Sequence, residues 1–227
     1  MMNKYIFCLL AIIVPATFKV SAQVKFLNDV QGKPYMEQSY TMVEGSAYLI
    51  PNWAEGKVDF VNGKTTTLPI KYDLIKDELL FHSKTDSVAF AFVDQVKGFS
   101  FTSSVIEESN ILMPVFNSGY PAVDGQTPAS FYQVIADGKV KLLKHYKKII
   151  RTEKAFNSAT STRSFVLSDV YYLFIDNQIT RIKPGQKTIL AALGDKADQL
   201  KRYMQSNKID YKNDAALANL FSYYNSL

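Results

Sequence analysis

The chain has 227 residues, 47% hydrophobic, 13% aromatic and 21% charged, with 10 glycines, 8 prolines and one cysteine. That balance excludes a collagen, a coiled coil, a low-complexity disordered chain and a disulfide-stapled miniprotein, and suits one sizeable globular domain. The formal net charge of +5 is too small and too dispersed to mark a dedicated nucleic-acid binder.

Residues 1–22 read as a secretory signal. Lys4 gives a positive start, Tyr5 to Val14 is an uncharged apolar run, and Pro15 interrupts it. Val20-Ser21-Ala22 offers a cleavage site before Gln23, with Ala16 as an alternative. The apolar run is about ten residues, short of the roughly 20 that cross a bilayer. Removing Lys4 and Lys19 takes the net charge from +5 to +3. Cys8 lies inside the signal, without the small residues before it that lipidation requires. The mature chain, 23–227, is therefore expected to have no thiol and no disulfide. It is expected to be periplasmic or secreted, with no transmembrane segment once the signal is gone.

Strand signals dominate from about residue 24 to 116. Val58 and Phe60 share one face of a strand ending at Asn62-Gly63, a dipeptide suited to a tight hairpin turn. Leu68, Ile70, Tyr72 and Leu74 share a face of the returning strand. Glu78 to Ser83, Val88 to Val93 and Lys97 to Thr102 read as further strands of an antiparallel meander. The irregular stretch 117–128 is either a surface loop or a seam between subdomains. Phe131 to Ala136 and Val140 to Ile150 flank a second turn at Asp137-Gly138. The second of these arms also fits helical spacing, and its valine and isoleucine content favours strand. Lys154 to Arg163 reads as a loop. Ser164 to Ile175 and Ile179 to Lys183 form a third hairpin around Asp176-Asn177.

Beyond Pro184-Gly185 the apolar period becomes helical. Ile189, Leu193, Leu200 and Met204 lie on helices broken near Gly194-Asp195. Asn213 or Asp214 caps a last helix bearing Leu217, Leu220, Phe221 and Tyr224 on one stripe. Strands followed by helices predict an α+β fold, a mainly antiparallel, open or partly rolled sheet covered by helices over about 186–225.

Three segments carry a family resemblance: Gly45-Ser46-Ala47-Tyr48-Leu49 with Trp53 and Gly56; Ile70-Lys71-Tyr72-Asp73-Leu74 with Asp77-Glu78-Leu79; and Lys208-Ile209-Asp210-Tyr211-Lys212-Asn213-Asp214 with Tyr223-Tyr224-Asn225. In these the chain resembles a type of uncharacterised exported protein of the Bacteroidetes lineage. The resemblance spans about half of the chain and implies an envelope or secreted location and a strand-rich body with C-terminal helices. It brings no activity and no functional residues. Ala47 departs from it, standing where proline is expected.

No metal-protease, phosphate-loop or serine-hydrolase pattern occurs, so no catalytic residue, metal site or cofactor is assigned. Two histidines remain. His82 has Asp77, Glu78 and Asp86 close in sequence, and His145 sits among Lys144, Lys147 and Lys148; each suits a structural role better than a triad. Asp73, Asp77 and Glu78, or Glu107 and Glu108, supply carboxylates for a glycosidase-like pair, as any chain this acidic does. Trp53 and Tyr120 are candidate stacking rings for a ligand, beside Tyr48 and Tyr72. As a strand, 139–151 places Lys139, Lys141, His145, Lys147 and Arg151 on one face, with Lys144 and Lys148 on the other. Lys139, Lys141, Lys147 and Arg151 are thus candidate contacts for an anionic polymer, or an edge that discourages strand pairing. The sequence accordingly favours a non-catalytic exported protein that binds another envelope protein, a glycan or an anionic polymer. A carboxylate-based hydrolase of glycan or peptide, and a structural component of an envelope assembly, are the alternatives.

Overall fold

The computed structural model describes residues 25–27, 30–35, 40, 42–82, 88–102, 115–154 and 160–227. The signal with Cys8, and also Asp86, Glu107 and Glu108, lie outside the described residues. Those described form one mainly antiparallel sheet, not closed, followed by three α-helices. The strands are β1 Lys25–Leu27, β2 Val30–Pro34, β3 Val43–Glu44, β4 Ala54–Phe60, β5 Thr65–Asp73, β6 Glu78–Phe81 and β7 Phe90–Phe92. They continue with β8 Val96–Phe101, β9 Val115–Asn117, β10 Tyr132–Ala136, β11 Lys141–Lys154, β12 Ser161–Ile175 and β13 Gln178–Ile182.

The α+β class holds, but the strand order is richer than a meander. It runs β1-β2-β7-β6-β5-β4-β8-β9-β10-β11-β12-β13, with β3 beside β12. β8 lies against β4 rather than β7, with Val58 opposite Phe99. The turns follow their local chemistry. Gly63 has φ +83°, and Asp176 and Asn177 have φ +47° and +61°, the left-handed values a tight hairpin requires.

The 140–150 arm is strand, and it is longer than its sequence signal. β11 pairs with β12 without a break from Lys141 opposite Phe174 to Lys154 opposite Ser161. The expected loop 154–163 thus begins and ends as ladder. The first half of this hairpin is buried; from Lys147 outward it is largely exposed. The outer half, 147–154 with 161–170, is called the arm below.

Residues 42–50 form a strap across the arm. Val43 pairs in parallel with Arg163, and Phe165 lies edge-on to Tyr40 at 5.1 Å. The Lys148 ammonium donates to the carbonyls of Ser46 (2.8 Å) and Tyr48 (2.6 Å). The strap then joins β5, with Leu49 N donating to Tyr72 O and Leu74 N to Ala47 O.

The curved first half of the sheet is filled by rings. Phe99 and Phe116 stack at 4.7 Å, and Tyr72 meets Phe99, Phe116 and Phe131 edge-on at 5.3–5.8 Å. Burial of each such side chain contributes about 1.5–3 kcal/mol. The helices are α1 Gln186–Ala192, α2 Ala197–Asn207 and α3 Asp214–Ser226, with a 3-10 turn at Gly194–Lys196 where the helical period breaks. The Asn213 side chain caps α3 by accepting from Ala216 N at 3.0 Å. Leu217, Leu220, Phe221 and Tyr224 then pack on Ile135, Leu142 and Leu173 of the sheet. Among the described residues, no helix is long and apolar enough to cross a membrane.

Candidate functional site

An open cleft of about 610 Å³ lies where four segments converge. Its walls are the turn Leu74–Leu79, the connection 92–96 and the loop residues 125–131; His145 and Lys147 of β11 also line it. The turn is shaped by Asp73, whose buried carboxylate accepts from Ile75 N (2.8 Å), Lys76 N (3.1 Å) and the Tyr35 hydroxyl (2.7 Å). That places Asp77 in a left-handed conformation, φ +55°, which aspartate tolerates better than most residues.

Asp77 is the hub of the cleft. Its Oδ1 accepts from the Tyr72 hydroxyl and from Phe131 N (3.4 Å), and its Oδ2 faces His145 Nε2 at 3.4 Å. The Ser130 hydroxyl lies near enough to this carboxylate to favour its charged form. Burial pushes the Asp77 pKa up, but the hydrogen bonds from His145, Tyr72 and Ser130 and the charge of His145 outweigh it and hold it below the ordinary aspartate value. Burial and the adjacent Asp77 push the Tyr72 phenol well above its usual range. The serine and the histidine therefore both address the carboxylate. A hydrolytic triad instead places the histidine between serine and aspartate.

Behind the cleft, the 117–128 segment folds into a tight loop. Gly119 N donates to Pro128 O at 2.7 Å, and Tyr172 donates to Asp124 at 3.1 Å. Tyr120, a candidate stacking ring, is only 7% exposed, edge-on to Tyr132 (5.4 Å) and Phe174 (5.0 Å). Its ring is taken up by packing, and burial pushes its pKa up to about 12. Trp53 is half-buried on another surface. Its ring meets His82 at 4.4 Å, and the Lys71 ammonium lies 4.9 Å over it and 4.4 Å over Tyr48.

The expected single face is not formed: Lys141, Lys147 and Arg151 alternate onto one face of β11, but Lys139 lies before the strand, and the four do not form one patch. Lys139 is exposed in the β10–β11 turn, and Lys141 pairs with Asp137. Lys147 reaches the cleft mouth, and Arg151 lies on the arm, 3.8 Å from Glu153. Ten residues of strand separate Lys141 from Arg151, about 33 Å. That is several times the screening length of roughly 8 Å at physiological salt, so the ends act independently. Of the opposite face, Lys144 is buried against Asp214 (2.9 Å) and Asp169 (3.0 Å).

Sequence reasoning missed the Asp77–His145 contact. It set Asp77 beside the nearby His82, whereas the histidine that meets it is 68 residues away. The available signal was the strand alternation, which puts His145 on the face of Lys147. Among the described residues, no group of His, Cys, Asp or Glu is arranged to hold a metal ion. Compared with protein families, with curated proteins and with solved structures, the chain matches none.

Proposed function

We infer that this is an exported, non-catalytic binding protein that recognises another macromolecule at the cell envelope, through the cleft and the adjoining arm. The N-terminal signal pattern supports the location. The observation that carries the binding role is the state of Asp77. Its oxygens are already engaged by Tyr72, His145 and Phe131 N, which makes the carboxylate a clasp that ties its own turn to β5, β11 and the loop before β10. A general base needs a free position for the proton it takes. Lys147 at the cleft mouth, with exposed Ile149 beside it, adds charge and apolar surface of the kind a macromolecular partner covers.

One observation favours a second reading, a carboxylate-based hydrolase: Asp77, Glu78 and Asp94 all line the same cleft. The two are separated by incubating the mature chain with acidic peptides, uncharged peptides and acidic oligosaccharides, following binding by calorimetry and products by mass spectrometry. Binding without turnover, weakened by Lys147→Glu, is the expected result. Multiple turnover abolished by Asp77→Asn or Glu78→Gln would overturn the binding role.

A further inference from the structure

We propose that the outer edge of β11 along the arm takes an acidic peptide in extended form as an additional strand. This rests on the binding role inferred above and names its partner and mode.

The ladder fixes which backbone groups are available. The β11–β12 pairing is regular from Lys141 to Lys154, so alternate residues of β11 point their N–H and C=O away from β12. Lys148 is one of these, since its N–H donates outward to Leu74 O at 3.0 Å. Ile150, Thr152 and Lys154 follow with the same orientation. Among the described residues, β10 pairs with β11 only as far as Lys144, and no strand pairs with that edge at Ile150, Thr152 or Lys154. The other edge of the arm is partly occupied, β3 pairing with it at Arg163 and Ser164.

Charge selects the occupant. Over 147–154 and 161–170 the arm carries Lys147, Arg151, Lys154 and Arg163, beside Lys148 held by the strap carbonyls, against Glu153 and Asp169. Asp169 is already engaged by Lys144. A second copy of the chain pairing edge to edge would lay a second net-positive arm beside the first, which opposes their pairing. A strand bearing carboxylates meets the opposite sign. Exposed Ile149, 43% accessible, offers an apolar contact for alternate side chains of the incoming strand. Backbone pairing supplies the affinity, and the flanking lysines and arginine supply the selection.

The test uses the mature chain and a labelled eight-residue peptide of alternating valine and glutamate, followed by fluorescence anisotropy. Saturable binding that weakens as salt is raised is expected. A peptide N-methylated at every second residue should bind about tenfold more weakly, as should the unmodified peptide with Thr152→Pro. Proline there removes an outward N–H without touching the β12 ladder. In hydrogen exchange, the amides of Ile150, Thr152 and Lys154 should become protected by the peptide. Binding that is unaffected by N-methylation and by Thr152→Pro, yet lost in Lys147→Glu, would place the peptide in the cleft and overturn the edge proposal while leaving the binding role standing. No binding of the peptide would also overturn it, as would a concentration-dependent dimer dissolved by Thr152→Pro, which would make a second copy the occupant.

Discussion

The side-chain amide of Asn225 stands in for a neighbouring strand at Val140. Its Oδ1 accepts from Val140 N at 2.9 Å and its Nδ2 donates to Val140 O at 2.8 Å, so the last turn of α3 closes the β10–β11 hairpin 85 residues away. Val140 is 1% exposed, so its backbone groups depend on that amide for their bonds. Asn225→Ala should cost about 1–3 kcal/mol in urea denaturation, the penalty for orphaning buried backbone groups. Gly138→Ala should also destabilise, because Gly138 has φ +154° and an added Cβ would lie 2.5 Å from the Asn225 amide. A change below about 0.5 kcal/mol in both variants would remove this clasp from the account.

Lys144 ties the start of α3 to the sheet through Asp214, which also accepts from Tyr171 at 2.7 Å. Burial opposes its charge, yet Tyr146 and the hydrogen bonds of Asp214, Tyr171 and Asp169 hold its pKa above the ordinary lysine range. Lys144→Met should cost about 3 kcal/mol, since it leaves Asp214 partly buried without its cation. The contact with Asp169, itself 37% exposed, adds little. A raised lysine pKa contributes stability below the unfolded value of about 10.4 and loses it as pH rises toward the folded value. The gap between wild type and Lys144→Met should therefore be constant from neutral pH to about 10 and narrow above it.

Asp77 has the opposite sign. Its pKa is lowered in the fold, so its contribution is present above the unfolded value of about 3.9 and is lost as pH falls through the folded value. Asp77→Asn should lower stability near pH 7 by about 1–3 kcal/mol. It should also flatten the decline of stability below about pH 4. An unchanged acid limb of the stability curve in Asp77→Asn would contradict the clasp.

Lys148 holds the strap over the arm by two carbonyls. Lys148→Ala should speed hydrogen exchange at Leu49 N and Leu74 N, which bond to Tyr72 O and Ala47 O, by about tenfold. Amides of α3 should keep their protection. Equal acceleration in the helix would mean global destabilisation instead.

Local chemistry was legible in the sequence where it dictates shape. Asn62-Gly63, Asp137-Gly138 and Asp176-Asn177 each lie at a hairpin turn, and Asn213 caps the helix whose apolar stripe packs on the sheet. Only the tip of the arm, Lys154 to Arg163, reads as loop, because Lys154 and Ser161–Arg163 are polar on both faces; these residues are strand through pairing, which no alternation of burial records. The placement of β8 beside β4, and of His145 against Asp77, depends on how a twisted sheet brings distant segments together. The order of residues carries no period for such contacts. Tyr120 shows the same limit from the other side, since a ring in a polar loop gives no sign that it turns inward.

The strap has a kinetic corollary. Val43 finds its register opposite Arg163, about 120 positions later in the chain, and Lys148 must already be in place to hold Ser46 and Tyr48. Pairing across so long a stretch of chain slows assembly. Until the strap docks, β12 presents bare ladder on that side as well, and a newly emerged chain passes through an interval in which both margins of the hairpin are open to strangers.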